Sequence, residues 1–559
     1  MVGTRPLRSA AAGTYTAVPP ATHGEVPARE GNGMLVSAIV RRNADVFADR
    51  DALVEPDRGT WSWSALEART NQVGRALLQL GMQRRDRIGV LAPNVGEHLQ
   101  LFFAEAKTGI IGAPMNIRLT VHELAAYCRY VEPTVLVVHA SLVEVARAVA
   151  AAAPSIQHLV GIGAGHGLAL DLDELCAAQD PSDPGVGVRD DDVYQLAATS
   201  GTTGVAKAVA LTHRNAWAAI NNWLAEIPVY EEGTNLQNIP LFFNPGGPAG
   251  IHPVLVKGGR TVLFPGFDPG AFCAAVPRFG VTHTILVPTM IRMVLDHPAA
   301  ATTDFSTLRA VVCGGSPVSR DLLLAARPVL GDVFYPHYGM AETYSCGLVL
   351  RPENQHTDGP PEVVARLGSA GKPNVLMEVR VVAEDGHDVA KDGAAIGEVW
   401  LRGDTVADAY YRMPEETAAS RAGDWFRSGD LATVDRDGFV TIVDRAKDVI
   451  ITGGINVHGR EVEEVVVAHP SVGAAAVIGL PDDRWGEVVH AVVVAAPGAT
   501  VDVDAVLAFC AERLAGYKRP RSIEVVDALP LSATGKVLKR ELRAARTGSA
   551  SVVTPGVAS

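Results

Sequence analysis

Strand-like apolar runs alternate with helical segments over residues 35–340, and this alternation limits the folds open to the chain more than any other feature. The stretch SALEARTNQVGRALLQLG places Leu66, Val73 and Leu77 at a mostly helical spacing and ends at Gly81. The runs DRIGVLAPN, TVLFPG, THTILVPT and RAVVCGG have the apolar character of buried strands. This order predicts an α/β fold with parallel strands.

The pattern changes after residue 365, where short strands and turn signals predominate. MEVRVVAEDG, GEVWLRG and DLATVDRDGFVTIVDR predict a small antiparallel β unit, with DRDG as a hairpin turn. The predicted fold is α/β, with a large N-terminal domain of two α/β subdomains plus this β unit, and a small mobile α+β C-terminal domain. The predicted boundaries are a disordered leader at 1–34, the large domain at 35–443, a hinge at 444–448, the small domain at 449–545 and a disordered tail at 546–559.

The composition narrows the classes of partner. The 559 residues carry a formal net charge of −13 and no long basic run, which argues against nucleic acid and anionic membranes. Six cysteines without CxxC spacing favour buried free thiols in a reducing compartment. No stretch reaches the roughly 18 uncharged apolar residues of a membrane span, and the N-terminus lacks the apolar segment of a secretory signal. These features predict a cytoplasmic protein and leave its oligomeric state open.

A loop rich in glycine and hydroxyl groups, TSGTTGVAK, stands between two apolar runs. One interpretation is a surface linker, as clusters of small polar residues usually are. A Walker loop is excluded, because Ala206 replaces its glycine, Ala208 replaces its Ser/Thr, and the following AVALT reads as a strand rather than a helix. The third interpretation is another kind of phosphate-binding loop, in which backbone amides, hydroxyls and Lys207 bind an anion.

Three further motifs place chemically suitable groups close together in the sequence. In YPHYGMAET, Tyr338 offers a flat face for a purine, Gly339 allows close backbone approach, and Glu342 is a hard oxygen ligand for Mg²⁺. Asp430 can accept hydrogen bonds from ribose hydroxyls, and Arg445 can bind oxygen atoms in a bidentate manner. The alternative for each is an exposed charge at a strand end or on the surface.

Lysine is rare, since it accounts for nine of the 49 basic residues, and Lys207, Lys447 and Lys536 stand out for that reason. In LPLSATGKVLKRELR, Lys536 follows Thr534 and Gly535. A flexible ammonium group on such a loop can approach two anions at once. The alternative is a solvated basic tail.

TSGTTGVAK resembles the phosphate loop of the adenylate-forming superfamily, which holds acyl-CoA synthetases, carrier-protein-loading adenylation domains and beetle luciferase. The resemblance extends from about residue 36 to 544, with the motifs in the family's order. Ala206 and Ala341 depart from the family's usual Pro and Thr, and Thr343 is the remaining candidate hydroxyl for the α-phosphate. The resemblance implies an ATP site made of Thr199, Ser200, Gly201, Thr202, Thr203, Gly204, Lys207, Gly314, Gly315, Ser316, Pro317, Tyr338, Gly339, Thr343, Asp430 and Arg445.

The same resemblance implies the remaining roles. It makes Lys536, Glu342 and Thr202 the catalytic residues, with Glu342 binding the metal. It assigns Lys447, Gly453 and Gly454 to the hinge and to the tunnel for the thiol, although GG is also common in ordinary turns. The acyl pocket implied by position consists of Phe243, Asn244, Gly247, His252, Tyr344, Ser345 and Cys346, and a histidine such as His252 is more often simply packed or solvated.

The implied reaction has two halves. A carboxylate attacks the α-phosphorus of Mg·ATP to give acyl-adenylate and pyrophosphate, and the thiol of CoA then releases AMP, while the small domain rotates in between. The sequence therefore predicts an AMP-forming carboxylic acid–CoA ligase that uses ATP, Mg²⁺ and CoA on a fatty or aromatic acid. A ligase that loads a carrier protein's phosphopantetheine, a luciferase-like oxygenase and an inactive scaffold are the alternatives, the last disfavoured by the intact Glu342, Asp430, Arg445 and Lys536.

Overall fold

The computed structural model describes residues 34–199, 207–243, 248–453, 455–482, 484–531 and 537–547, and the statements below concern these residues. Helices and strands alternate through the first two thirds of the chain, as the sequence pattern predicts. The helices are α1 (Ala38–Val46), α2 (Trp63–Gln79), α3 (Gly96–Thr108), α4 (Val121–Val131), α5 (Val143–Ala152), α6 (Leu172–Ala177), α7 (His213–Glu226), α8 (Pro248–Val256), α9 (Pro269–Phe279), α10 (Pro288–Asp296), α11 (Arg320–Leu330), α12 (Pro361–Ala365), α13 (Pro414–Ala419), α14 (Gly459–Val467), α15 (Val503–Arg513) and α16 (Lys539–Thr547).

The strands form four sheets. In chain order they are β1 (Asp51–Glu55), β2 (Gly59–Ser62), β3 (Arg87–Leu91), β4 (Ile111–Pro114), β5 (Val135–His139), β6 (His158–Ile162), β7 (Leu170–Asp171), β8 (Val193–Thr199), β9 (Lys207–Thr212), β10 (Thr234–Gln237), β11 (Arg260–Leu263), β12 (His283–Leu286), β13 (Ala310–Cys313), β14 (Phe334–Gly339), β15 (Gly347–Val349), β16 (Lys372–Pro373), β17 (Glu378–Val382), β18 (Gly397–Arg402), β19 (Ala409–Tyr410), β20 (Arg421–Ala422), β21 (Trp425–Val434), β22 (Val440–Arg445), β23 (Ile450–Thr452), β24 (Ile455–Val457), β25 (Val472–Asp482), β26 (Gly486–Ala495) and β27 (Ser522–Val525).

Two large sheets have parallel centres, as predicted. The nine-stranded sheet has the order β16-β15-β14-β13-β12-β10-β11-β1-β2, and its strands from β14 to β1 are parallel. The eight-stranded sheet has the order β19-β9-β8-β4-β3-β5-β6-β7, and its strands from β8 to β7 are parallel. Antiparallel strands such as β9 and β15 extend these parallel centres at one side.

The two sheets do not follow the order of the chain. The hairpin β1–β2 joins the nine-stranded sheet, whose other strands come from residues 234–373, whereas β8 and β9 join the eight-stranded sheet. Neither large sheet is therefore built from one continuous stretch of the chain. Hydrophobic runs identify strands, but they carry no information about which strand each one pairs with.

Helix α3 connects the two large sheets, and all thirteen of its residues are buried. Phe102 and Phe103 lie in the same apolar cluster as Leu53 of β1 and Tyr194 of β8. The opposite side of the helix packs into a second cluster with strands β3, β5 and β6. Residues of both sheets therefore share one core across this helix.

Two smaller sheets complete the fold. Strands β17, β18, β20, β21 and β22 form an antiparallel sheet, and the DRDG turn joins β21 to β22, with Gly438 at φ 84°. After it, β23–β27 form a five-stranded sheet that packs on α14 and α15 through Val462, Val489 and Val506. The segment INVHGREVEEVVVAHP begins with strand β24, and its helix starts at Gly459.

The predicted boundaries differ slightly from the observed elements. Strand β22 continues through Asp444 and Arg445 into the predicted hinge, and a 3₁₀ turn at Ala446–Asp448 follows. Helix α16 extends to Thr547, two residues into the predicted tail. The predicted leader lies outside the described residues, except for its last one. Within the described part of the chain, every helix is too short or too polar to cross a bilayer.

Helix α3 also buries a carboxylic acid without a partner. Glu105 is 1% exposed, and neither of its carboxylate oxygens has a hydrogen-bond partner. Space for it is made by Gly112 of β4, where a Cβ atom would lie 2.2 Å from Oε2. Burial raises the pKa of Glu105 well above its ordinary value. The carboxyl group therefore stays protonated in the folded protein over a pH range in which it ionises in the unfolded chain.

Glu105→Gln is expected to stabilise the protein more at pH 8 than at pH 5. Above the unfolded pKa of 4.5, folding of the wild type takes up a proton at Glu105, so this residue's contribution to stability falls as the pH rises. The amide has no proton to take up and lacks this pH dependence. Thermal unfolding of both proteins at the two pH values measures the effect. An equal shift in Tm at pH 5 and pH 8 would contradict it.

Candidate active site

The hairpin β8–β9 holds the two ends of the predicted phosphate loop side by side. Thr199 pairs with Lys207 across the antiparallel ladder, and its hydroxyl donates to the Lys207 carbonyl over 3.4 Å. The segment after the loop is a strand, whereas a Walker loop leads into a helix. The loop residues themselves, Ser200, Gly201, Thr202, Thr203 and Gly204, lie outside the described residues.

Tyr338, Asp430 and Arg445 come together in one cluster, although they belong to three different strands. The Tyr338 hydroxyl donates to Asp430 Oδ2 over 2.7 Å, and Arg445 Nε lies 3.1 Å from Asp430 Oδ1. Asp430 and Arg445 are directly opposite each other on β21 and β22. Burial and the neighbouring Asp430 carboxylate raise the pKa of Tyr338 well above its usual range, so its phenol keeps its proton. This cluster therefore brings together an aromatic ring, a carboxylate that accepts hydrogen bonds and a guanidinium cation.

Glu342 lies in a tight turn just beyond Tyr338. Strand β14 ends at Gly339, where a Cβ atom would lie 2.6 Å from the backbone of Ser345, so the turn closes only on a glycine. A 3₁₀ turn at Ala341–Thr343 follows. The buried Thr343 hydroxyl bonds within this turn, donating to the carbonyls of Met340 and Cys346. Its contact with an α-phosphate stays a prediction, and this geometry does not favour it.

The Glu342 carboxylate is suited to a cation that also binds phosphate groups of a substrate. Its Oε1 accepts a hydrogen bond from the Tyr410 hydroxyl over 2.8 Å. Among the described residues, no three His, Cys, Asp or Glu side chains form a group that could hold an ion. Mg²⁺ is usually bound by one or two carboxylates together with substrate phosphates, so a single Glu beside a phosphate loop fits this ion.

The predicted turn at 314–317 follows β13 and contacts β14. A Cβ atom at Gly314 would lie 2.5 Å from the imidazole of His337, and Gly315 has φ 81°, so both positions require glycine. Ser316 is partly buried and Pro317 is exposed. The turn therefore lies beside the strand that carries Tyr338.

The predicted acyl pocket contains a strained turn. Tyr344 and Ser345 are consecutive non-glycine residues with φ 51° and 62°. Residues held in this left-handed region cost free energy and concentrate at functional sites. The three residues of this turn and its end, Tyr344, Ser345 and Cys346, are buried. The ring centre of the half-buried Phe243 lies 4.6 Å from that of Phe242. Asn244 and Gly247 lie outside the described residues.

His252 is fully buried, and within the described part of the chain neither ring nitrogen has a hydrogen-bond partner. Its imidazole lies 5.8 Å from the ring of Phe103, and burial lowers its pKa to about 3. The same apolar region includes other buried donors that lack partners. These are the Tyr344 hydroxyl and the indole nitrogens of Trp217 and Trp223. An unpaired buried polar atom is costly, so this set is suited to a ligand with polar substituents.

The predicted hinge and glycine loop lie where the C-terminal domain meets the rest of the chain. The hinge is held by Asp444, which accepts from the backbone of Gly459 over 2.7 Å, and by Asp448, whose carboxylate lies 2.8 Å from Arg543. Lys447 belongs to the 3₁₀ turn between them. Gly453 has φ 57°, and a Cβ atom there would lie 2.9 Å from the ring of Trp485. Gly454 and Lys536 lie outside the described residues.

Two aromatic residues of this region were missed from the sequence. Tyr410 contacts Glu342. The guanidinium groups of Arg484 and Arg521 lie 5.0 and 5.8 Å from the ring centre of the exposed Trp485. The pair of tyrosines in ADAYYRM and the tryptophan in DDRWGE were the available signals. Neither motif indicates a function by itself, because the role of its aromatic ring depends on the residue that the ring contacts.

The chain is similar to known proteins over most of its length. The family model of AMP-binding enzymes matches residues 40–411, and the model of their C-terminal domain matches residues 461–536. A feruloyl-CoA synthase of an Amycolatopsis species is 40% identical over 485 residues, which cover 86% of this chain and 93% of the relative. The crystal structure of the anthranilate CoA ligase AuaEII with anthranoyl-AMP has a TM-score of 0.84 and 28% identity, covering 93% of this chain and 98% of the other. ATP-bound MatB from Rhodopseudomonas palustris has a TM-score of 0.82 and 28% identity, covering 92% and 99%.

His252→Leu is expected to stabilise the protein without substrates and to change its preference among acid substrates. The substitution removes two unpaired buried nitrogens, whose burial costs about 1–3 kcal/mol. The gain should increase as the pH falls below 6.5, because the unfolded wild type then binds a proton that the folded imidazole, with its pKa of about 3, does not. Thermal unfolding at pH 5.5 and 8 and relative rates on several acids measure the two effects. A destabilised variant with an unchanged acid preference would contradict this prediction.

Proposed function

This chain belongs to the AMP-binding enzyme family and is an AMP-forming acyl-CoA ligase, and on that premise we propose that its acid substrate is an aromatic carboxylic acid with a polar ring substituent. The observation that carries the proposal is a set of buried polar atoms without hydrogen-bond partners among the described residues, on His252, Tyr344, Trp217 and Trp223. The last three belong to the large apolar cluster that also contains Phe103, whose ring lies beside His252. A purely aliphatic acid would leave these atoms unpaired, whereas a hydroxyl or amino group could pair with them. A fatty acid remains the alternative.

We propose that the nucleotide binds at the cluster formed by Tyr338, Asp430 and Arg445. The ring of Tyr338 provides a face for adenine, and the Asp430 carboxylate, fixed by Arg445, accepts hydrogen bonds from the ribose hydroxyls. The loop between Thr199 and Lys207 would bind the phosphates through its backbone amides and hydroxyls. Glu342 would hold Mg²⁺, which neutralises charge on the phosphates when it is bound.

In the first half-reaction, the acid's carboxylate attacks the α-phosphorus and pyrophosphate leaves. Two anions must approach each other, so the chain's contribution is to position them and offset their charge. We assign this task to Lys536, because a compact ammonium group on a small loop can contact the carboxylate and the α-phosphate together. Thr202 is the proposed loop hydroxyl on the phosphates.

In the second half-reaction, the thiol of CoA attacks the carbonyl of the acyl-adenylate and AMP leaves. Gly453 and Gly454 would line the path of the pantetheine arm, since the backbone there is free of side chains. The exposed ring of Trp485, flanked by Arg484 and Arg521, offers a stacking face and two cations for the nucleotide end of CoA. Rotation of the small domain about residues 444–448 would exchange the Lys536 loop for the glycine loop.

The names of two similar proteins support an aromatic acid as the substrate. The relative from Amycolatopsis is named for feruloyl-CoA, and the structural neighbour AuaEII for anthranilate. Both names denote acids with a polar group on an aromatic ring.

A carrier protein's phosphopantetheine is the alternative thiol, because it carries the same reactive arm as CoA. We propose the cytoplasm as the compartment, since all six cysteines are buried free thiols, as is typical of reducing conditions.

The activity is tested by pyrophosphate release from ATP with a panel of acids. Hydroxylated and amino-substituted benzoic and cinnamic acids should give higher rates than unsubstituted aromatic acids and than fatty acids of similar length. Adding CoA or a phosphopantetheinylated carrier protein to the best acid then identifies the thiol. A preference for aliphatic acids would refute the proposed substrate class, and no pyrophosphate release with any acid would refute the ligase activity.

Lys536→Ala and Gly454→Ile are expected to separate the two half-reactions. The lysine variant should lose pyrophosphate release but still form thioester from supplied acyl-adenylate and CoA, because the thiol attacks an uncharged carbonyl. The glycine variant should form acyl-adenylate and then stop, because its side chain blocks the thiol path.

Lys518→Ala is the matched control for the loss of charge, since Lys518 is paired with Glu461 at 2.7 Å in the same domain. Circular dichroism and a melting curve must show a native-like fold for each variant. Equal damage to both half-reactions in both variants would mean that Lys536 and Gly454 have structural roles only.

A further inference from the structure

Tyr410 lies between the two charged groups to which the proposed function assigns the phosphates and the cation. Its hydroxyl donates to Glu342 Oε1 over 2.8 Å, and the Lys207 ammonium lies 4.8 Å from the centre of its ring. Glu342 follows the nine-stranded sheet, whereas Lys207 begins β9 of the eight-stranded sheet. One side chain therefore contacts functional groups that belong to different sheets.

The backbone fixes this tyrosine in place. Strand β19 pairs with β9, with Tyr410 opposite Val209, and the Tyr410 amide donates to the Thr417 hydroxyl over 3.0 Å. The segment before Tyr410 is held by two hydrogen bonds. Asn215 at the start of α7 donates to the carbonyl of Asp404 over 2.8 Å, and the Ala407 amide donates to the Glu342 carbonyl over 2.8 Å. Tyr410 is thus part of a rigid frame that includes the backbone of Glu342.

Each contact has a different physical effect. The phenol occupies one oxygen of Glu342 and so limits the rotation of the carboxylate, which presents its other oxygen to a ligand. The ring face attracts the ammonium group of Lys207 and limits where that group can go. Hydrogen bonds of this kind orient metal ligands in many sites, and their removal weakens metal binding.

We propose that Tyr410 is a positioning residue for the metal–nucleotide site, orienting Glu342 through its hydroxyl and Lys207 through its ring. The inference rests on the proposed function, because it assumes that Glu342 meets a divalent cation and Lys207 a phosphate. The hydroxyl and the ring act on different groups, so each can be removed separately. Tyr410→Phe removes only the hydroxyl, and Tyr410→Leu removes the ring as well.

Binding of Mn²⁺ and of an ATP analogue tests the proposal without turnover. Mn²⁺ prefers the same oxygen ligands as Mg²⁺ and is detected by electron paramagnetic resonance. The analogue has a methylene group between its α and β phosphorus atoms and cannot release pyrophosphate. Tyr410→Phe should weaken Mn²⁺ binding to the protein–analogue complex by about 10-fold or more, while calorimetry in EDTA shows an unchanged affinity for the metal-free analogue. Tyr410→Leu should also weaken metal-free analogue binding, by about two- to five-fold.

Tyr411→Phe is the matched control, because it removes a hydroxyl from the next residue. Successive side chains of an extended segment point to opposite sides, and the Tyr411 ring lies 6.3 Å from that of Tyr130. This control should bind Mn²⁺ and the analogue as the wild type does. A loss in Tyr411→Phe as large as in Tyr410→Phe would overturn the proposal in favour of a general structural effect.

A double-mutant cycle provides a second measurement that does not depend on any single variant. If the hydroxyl acts through Glu342, adding Tyr410→Phe to Glu342→Gln should cause no further loss of Mn²⁺ affinity. Additive losses, or a Tyr410→Phe protein that binds Mn²⁺ as tightly as the wild type, would overturn the inference. A wild-type protein that binds neither Mn²⁺ nor the analogue would instead refute the proposed function, and the inference with it.

Discussion

The packing of helix α3 between the two large sheets is the contact on which the rest of the site depends. Leu53 of one sheet and Tyr194 of the other meet Phe102 and Phe103 of this helix in one apolar cluster. Protein interiors are close-packed and deform little, so a helix held on both sides fixes the separation of the sheets. Strand β14 and the hairpin β8–β9 belong to different sheets, yet their ends lie within reach of a single tyrosine side chain.

Much of the fold could be predicted from the sequence, because helices and strands leave a periodic signal in the chain. The parallel centres, the antiparallel β unit, the DRDG hairpin and the strand after the glycine-rich loop are all observed. The pairing of β1 with β11 could not be predicted, since long-range register leaves no local signal. The charged candidates came from residue chemistry and family resemblance, whereas Tyr410 and Trp485 are recognisable only from the groups that they face.

The proposed acid-binding region illustrates a conflict between stability and function. A chain selected only for stability would give the His252 nitrogens and the Tyr344 hydroxyl partners, or would replace these residues with apolar ones of similar volume. It would also avoid two consecutive left-handed residues at Tyr344 and Ser345. Sites that bind polar ligands commonly retain such costs, because the ligand supplies the missing partners.

The position of the hairpin β1–β2 in the nine-stranded sheet affects how the chain is made. Strand β1 pairs with β11 at Leu53 and Thr261, so its partner is translated about 200 residues later. At about 5–20 residues per second, the ribosome takes roughly 10–40 s to reach that partner. During this interval the nascent chain carries a strand edge with unpaired amide and carbonyl groups, which other chains can bind. Chaperone access and local translation speed over the first half of the message thus bear directly on the yield of folded enzyme.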